Sequence, residues 1–305
     1  MCVMATATEV VSKSASPRLT SDEPELRSAI VDELRAASRA ARDASAHLGK
    51  QAKAVHEFRK ALRRARAVLA LVQNALPREA RKAAREALRD ARRALGAARD
   101  QAVAPETVGR LALSDADRDT AHAVLDAAAA GVAPAAEIEM ALAEGAARAA
   151  AEVEVVEAAL PAEITWATLI DGLEAEYRRA RRARSAAKGN KRAFHSWRRR
   201  SKELLHQLDL LARYGGDKIT AMRDELSVVV DTQTDAVDLL MLRDLVRQHA
   251  EGEPRKQLIE TIDGQLRPLM KASRRAGREP FRRKPAQLAR RVNRAVRGLA
   301  PDAEA

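Results

Sequence analysis

The chain has 305 residues, enough for one large domain or for two repeated units. Alanine, arginine, leucine and glutamate dominate and only 2% of residues are aromatic, a composition that favours helices and argues against a β-sandwich or barrel. The formal net charge of +12 gives a surface that attracts polyanions.

The N-terminal region predicts neither secretion nor a disulfide-rich fold. Cys2 is the single cysteine, which excludes an intramolecular disulfide and a multi-cysteine zinc site. Residues 1–20 lack the basic and apolar segments of a secretory signal, and we expect them to form a flexible tail. Because no later stretch is apolar enough to span a bilayer, we expect no membrane partner and a cytoplasmic location.

From residue 21 onward, the sequence predicts eight to ten helices joined by short loops. The segment Thr20–Pro24 is typical of a helix start, because a capping side chain, acids and a proline fall together. The pair Gly215–Gly216 marks a turn. The prolines that fall at predicted helix starts or breaks are Pro77, Pro105, Pro134, Pro161, Pro254, Pro268 and Pro280.

Charge divides this region, residues 21–301, into three parts. A first half at about 21–133 and a second half at about 163–301 are both basic. Between them lies an acidic, alanine-rich segment at about 134–162, in which Arg148 is the one basic residue. We therefore predict one domain built from two halves, with the boundary in the acidic segment.

An internal repeat relates the two halves. The segment Val55–Arg63 reappears as Phe194–Lys202, at an offset of 139 residues, and the same offset aligns Ile30 with Leu169. On a helix, each copy places a row of basic residues beside an apolar face. The two basic rows are His56, Arg59, Arg63 and Arg66 in the first half, and His195, Arg198 and Lys202 in the second.

Each basic row has a structural and a functional interpretation. A basic helical face is usually just solvated, yet like charges spaced four residues apart repel and contribute nothing to stability. Arginine offers planar pairs of donors to phosphate oxygens, and histidine donates as well. Because the pattern occurs twice beside the same apolar face, we expect the rows to bind a polyanion.

At these residues the sequence resembles the CHAD family, the conserved histidine α-helical domain. The family pattern is a histidine followed by arginine at i+3 and by arginine or lysine at i+7, in two copies, and both basic rows match it. The segment Leu95–Asp100 also resembles the family's Leu-Gly-x-x-Arg-Asp element, whereas its second-half counterpart, Val230–Asp235, departs from it, with Thr234 opposite Arg99.

The resemblance implies an all-α fold of two pseudo-symmetric helical bundles with a basic groove or pore between them that binds inorganic polyphosphate. It also implies localisation at polyphosphate granules, and a weaker link to polyhydroxyalkanoate granules. The residues predicted to contact polyphosphate are His56, Arg59, Arg63, Arg66, Arg99, Arg178, Arg182, His195, Arg198, Arg199 and Lys202.

We expect no enzymatic activity, cofactor or metal. Gly49 and Lys50 lack the rest of a P-loop, and the pair His56 and Glu57 is followed by Lys60 where a zincin needs its second histidine. Two binding alternatives remain open. One is nonspecific binding of nucleic acid, which presents the same phosphate charge. The other is a granule-associated scaffold for an acidic protein.

The few aromatic residues bear on the nucleic-acid alternative. Proteins that bind single strands usually stack bases on exposed aromatic rings. Phe58, Phe194 and Trp197 fall on the apolar side of the two repeated helices and are predicted to face the core. This placement disfavours base recognition and leaves nonspecific duplex binding open.

Overall fold

The computed structural model describes residues 24–47, 49–188 and 190–298. Within these ranges the chain forms ten α-helices and no strand, which confirms the all-α prediction. Both Cys2 and the predicted tail, residues 1–20, lie outside the described residues. The helices are α1 (Pro24–Ser45), α2 (Gln51–Leu71), α3 (Arg78–Ala94), α4 (Gly96–Gly109), α5 (Asp115–Ala130), α6 (Ala135–Ala159), α7 (Trp166–Ala186), α8 (Lys191–His249), α9 (Gly252–Ala276) and α10 (Pro285–Val296).

Capping side chains begin three of these helices. Ser114, Thr165 and Asn190 each accept a hydrogen bond from the backbone N–H three residues later, at 3.1, 3.4 and 3.0 Å. Each bond satisfies one of the amide groups that a helix leaves without a partner in its first turn. No described helix is both long and apolar enough to cross a membrane.

The predicted helix breaks at prolines and glycines agree with the structure at only some positions. Pro77 and Pro134 precede α3 and α6, as predicted, but Pro105 and Pro268 lie inside α4 and α9. A proline inside a helix removes one backbone hydrogen bond, and buried residues on both helices keep them packed. In α8, Gly216 has φ 55° and ψ −144°, so two helical segments meet there at a kink.

Two pairs of helices, one in each predicted half, pack in a similar way. In the first half α1 packs along α2, and in the second α7 packs along α8, while α2 contacts both α7 and α8. The acidic segment forms α6, which packs against α1 and α3 and so joins the first set of helices. The division into two repeated halves stays a prediction.

The core-facing prediction for the aromatic residues is confirmed. Phe58, Phe194 and Trp197 are completely buried. Trp197 contacts Phe194 edge to face, with ring centroids 5.5 Å apart, and Phe281 at 6.2 Å. These rings anchor α2 and α8, so the basic residues on the adjoining faces of both helices have fixed positions.

Gly172 lies where α7 meets the end of α2. A Cβ atom at this position would lie 1.9 Å from the carbonyl oxygen of Leu71. Because that atom belongs to backbone, the helices would have to separate, and we expect Gly172→Ala to lower the free energy of unfolding by about 1–3 kcal/mol. Urea denaturation measures this change.

The matched control is Gly264→Ala in α9, where a Cβ atom meets nothing within 4 Å. Alanine has a higher helix propensity than glycine, so the free energy of unfolding of this variant is expected to be unchanged or slightly higher. Equal unfolding free energies for the two variants would contradict the close approach of α2 and α7.

Candidate functional site

The two predicted basic rows come together in the fold. Gln207 of α8 donates a buried hydrogen bond of 3.0 Å to the carbonyl oxygen of Ala67 in α2, which fixes the two helices side by side. Burial, followed by the charges of neighbouring cations from α2, α3, α4 and α8, lowers the pKa values of Arg59, Arg63, Arg198 and Lys202. We call this group the central cluster; it consists of Arg59, Arg63, Arg92, Arg99, Arg198 and Lys202.

Two members of the central cluster donate hydrogen bonds to matching positions later in the chain. Arg59 reaches the end of α3, and Arg198 reaches the part of α8 beyond the kink at Gly216. Arg59 donates to the carbonyl oxygens of Arg92 at 2.6 Å and Leu95 at 3.3 Å. Arg198 donates to the hydroxyl of Thr234 at 3.2 Å. The contacts to Leu95 and Thr234 both span 36 residues. Each arginine therefore holds a helix in place besides contributing charge.

Arg99 lies between two carboxylates. Its guanidinium donates to Asp100 and to the nearly buried Asp238, both at 2.9 Å. Burial by itself lowers the pKa of Arg99, but the two carboxylates outweigh it and the pKa is raised. Asp238 is 139 residues from Arg99, the offset of the predicted repeat. In this register Asp238, and not Thr234, is the counterpart of Arg99.

Arg63 and Lys202 have no charged partner of opposite sign. Among the described residues, neither forms an ion pair or a hydrogen bond. Burial, with the neighbouring arginines, lowers the pKa of Arg63 to about 10 and that of Lys202 to about 7. Half-buried cations without counter-charges are unfavourable in the free protein, and perturbed groups of this kind concentrate at functional sites.

Arg66, predicted to contact phosphate, belongs to a buried ion network. Its guanidinium lies 3.0 Å from a carboxylate oxygen of Glu203. Arg200 links Glu203, at 2.9 Å, to Glu176, at 3.4 Å, and Arg179 lies 2.7 Å from Glu176. Glu176 and Glu203 are both almost completely buried. This network anchors one side of the central cluster, and its arginines are already paired.

The two predicted histidines occupy different environments. His56 is exposed, 3.9 Å from Glu57, whereas His195 is half-buried. Burial lowers the pKa of both below the usual value, so each is mainly neutral at pH 7. Further along α8, burial and the charge of Arg63 lower the pKa of His206 to about 4. Among the described residues, no group of acids and histidines can hold a metal ion.

A basic surface on α3 adjoins the central cluster. Sequence analysis did not single out Arg92 or Arg85, although the buried Ala84, Leu88 and Ala91 leave a regular arginine row on the other face of this helix. The regular spacing of these arginines is the sequence signal that could have identified this basic surface. The row opens into a pocket of about 360 Å³ lined by Arg66, Arg78, Arg81, Lys82, Arg85, Glu86 and Arg89.

The remaining predicted contacts lie apart from one another. Arg199 is exposed on α8, and its charge acts on Arg66 and Arg92 at the edge of the central cluster. Arg178 and Arg182 instead line a different pocket, at the end of α7. The eleven predicted residues therefore do not form one continuous site.

Two comparisons with known proteins agree on one family. A family model of the CHAD domain matches residues 28–247, which is most of the chain. Among solved structures, the chain is similar to the CHAD domain from the plant Ricinus communis, with a TM-score of 0.58 and 17% sequence identity. That match covers 92% of this chain and 95% of the plant domain. No curated protein matches. The chain belongs to the CHAD family, as the resemblance of its two basic rows implied.

Proposed function

We propose that this protein binds inorganic polyphosphate at the central cluster, without catalysing a reaction. The observation that supports the proposal is the meeting of Arg63, Arg198 and Lys202 with Arg92, half-buried and without carboxylate partners. The Nε atoms of Arg92 and Arg198 are buried and lack hydrogen-bond partners. An anion with many phosphate oxygens supplies the missing acceptors.

Affinity in this site comes from many weak contacts along one chain. An exposed ion pair contributes about 0–1 kcal/mol, so several phosphates must bind together and release their counterions. From the central cluster, a polyphosphate chain can continue past Arg66 into the basic pocket on α3. His56 and His195 donate from the edges, and Arg59 and Arg99 mainly position the helices that surround the anion.

Nucleic acid is the second candidate ligand, and the geometry favours polyphosphate over it. A duplex is a wide, rigid rod, whereas polyphosphate is a thin, flexible chain that reaches half-buried cations. Phe58, Phe194 and Trp197 are fully buried and cannot stack on bases. Nonspecific duplex binding to the exposed arginines is therefore the alternative that an experiment must separate.

A competition experiment separates the two ligands. Labelled long-chain polyphosphate is bound at physiological salt and challenged with duplex DNA at equal phosphate concentration. We expect DNA to displace little of the polyphosphate, because the central cations are recessed. Displacement by DNA on equal terms would contradict selectivity and identify a generic polyanion surface instead.

Binding is also expected to depend on pH through Lys202. The charges facing it are Arg63 on α2, Arg99 on α4, and Arg198 and Asp238 on α8. With a pKa of about 7, Lys202 loses its proton as pH rises. Above that pH, Lys202 must take up a proton from solvent when the anion binds, and this uptake costs binding free energy. Polyphosphate affinity should fall by about tenfold between pH 7 and pH 9.

Lys202→Arg is the control for this titration. Arginine stays protonated over the whole interval, and both histidines of the basic rows are already mainly neutral at its start. Fluorescence-anisotropy titrations at several pH values should therefore give a flatter profile for this variant. Parallel profiles for the two proteins would contradict the assignment to Lys202.

We also propose that the protein is cytoplasmic and gathers at polyphosphate granules. The support is the same cation cluster, since a granule presents its ligand at very high local density. A fluorescent fusion should mark the granules, and the mark should disperse when cellular polyphosphate is depleted. A signal that keeps its position after depletion would indicate the scaffold alternative.

A further inference from the structure

A second arginine-lined pocket lies away from the central cluster. It is an open pocket of about 550 Å³ that lies between the last turns of α7 and the segment that joins α9 to α10. No residue of the central cluster lines it, and the charges acting on Arg184 there are Arg278, Tyr177 and Arg181. The arginines that line the pocket are Arg178, Arg181, Arg182, Arg184, Arg278 and Arg282.

Most of these arginines lack a counter-charge. Arg178 pairs with Glu174 at 2.5 Å, and Arg282 lies 3.4 Å from Glu279. The other four have no carboxylate within ion-pair distance among the described residues. Arg182 has no hydrogen-bond partner there either. Six guanidiniums and two carboxylates leave a local excess of four positive charges.

Aromatic side chains hold the two walls of the pocket together. The hydroxyl of Tyr177 lies 3.1 Å from the carbonyl oxygens of both Pro280 and Arg283, and its one proton is shared between these two acceptors. The ring of Phe281 stacks on Tyr177 with centroids 5.7 Å apart. A Cβ atom on Gly277 would lie 2.8 Å from the Trp197 ring, so the segment between α9 and α10 sits tightly against the core.

This rigidity explains why the charges stay together. A flexible segment would let Arg278 and Arg282 swing away from the arginines of α7, whereas this one is fastened by buried rings. Arg181 also donates to the carbonyl oxygen of Phe281 at 3.3 Å, and Arg184 to that of Arg274 at 3.1 Å. The fold thus holds like charges face to face, an arrangement that an anion relieves.

We propose that this pocket binds a compact oligophosphate of about the size of inorganic tripolyphosphate, independently of the central cluster. Guanidinium pairs match phosphate oxygens, and the excess of four positive charges suits a small, highly charged anion better than a single phosphate. The ligand is either a free oligophosphate or a segment of a longer chain, since both present the same groups.

Isothermal titration with tripolyphosphate tests the proposal on four proteins. They are the wild type, Arg182→Gln with Arg278→Gln, Arg63→Gln with Lys202→Gln, and Arg118→Gln with Arg267→Gln. The last is the matched control, because both of its arginines are exposed and without partners among the described residues. Circular dichroism checks that every variant keeps its helical content.

We expect the first variant to lose one class of site, with affinity there falling by at least about tenfold, whereas the control binds like the wild type. The Arg63 and Lys202 variant should keep that class, so failure of the proposed central site would be seen separately. Titration with long-chain polyphosphate then distinguishes the sources: weaker binding by the first variant identifies a chain segment, and unchanged binding identifies a free oligophosphate. Unchanged binding of both ligands would overturn the proposal.

Discussion

Replacing both Arg63 and Lys202 with glutamine is expected to weaken polyphosphate binding by at least about a hundredfold. Both cations are half-buried, where a charge-assisted hydrogen bond contributes about 1.5–3 kcal/mol, more than an exposed ion pair does. Neither side chain makes an ion pair or hydrogen bond among the described residues, so the substitutions remove contacts to the ligand and none within the protein. Fluorescence anisotropy with labelled long-chain polyphosphate measures the change.

The same variant is expected to be as stable as the wild type, or more so. Lys202 has a lower pKa in the folded protein than in the unfolded chain, so the charged form of its side chain lowers the stability of the folded protein at pH 7. Glutamine removes that opposition and keeps much of the side-chain volume. Thermal denaturation should show an unchanged or higher midpoint, alongside the loss of binding.

The control for this result is the exposed pair Arg118→Gln and Arg267→Gln, which removes equal charge elsewhere. It should reduce binding only slightly and leave the melting temperature unchanged. Equal losses of affinity in both variants would show that net charge alone attracts polyphosphate. A lower melting temperature for the Arg63 and Lys202 variant would indicate a structural role for the cluster.

The second large effect is expected at Glu203. Its carboxylate lies within 3.0 Å of Arg66 and 2.9 Å of Arg200, and it is almost completely buried. Glu203→Gln leaves these guanidiniums paired to a neutral amide, and the free energy of unfolding should fall by about 3–5 kcal/mol. Urea denaturation measures the fall.

Polyphosphate binding separates this effect from loss of the site. Since Glu203→Gln frees Arg66 beside the pocket on α3, affinity at a temperature where the variant is folded should be equal to or higher than that of the wild type. Glu144→Gln on the exposed face of α6 is the matched control and should change neither property. Weaker binding by a folded Glu203→Gln would assign the network to the site itself.

The sequence predicted the helices and the central residues because both follow from local periodicity. Spacings of three and four residues place Arg59, Arg63, Arg198 and Lys202 beside buried apolar faces, and the structure brings these four together. Spacing along one helix does not reveal which side chains a neighbouring helix places against these residues. Arg66 fits the same row, yet α8 brings Glu203 against it.

The residues that sequence analysis missed or grouped differently depend on tertiary packing. Arg92 enters the central cluster from α3, a helix with no place in the predicted repeat motif. Arg178 and Arg182 lie in the arginine-rich C-terminal part of α7, and they face the segment between α9 and α10. In both cases the sequence shows the charged residues, but contacts between residues far apart in the chain decide which site they line.

The ion pair between Arg99 and Asp238 places opposite charges at matching positions of the two predicted halves. In the register of the predicted repeat, each residue meets its own counterpart. A symmetric assembly of two first halves would therefore bring arginine against arginine, and one of two second halves would bring aspartate against aspartate. Only the unlike combination neutralises this contact, so the ion pair disfavours an assembly of two like halves.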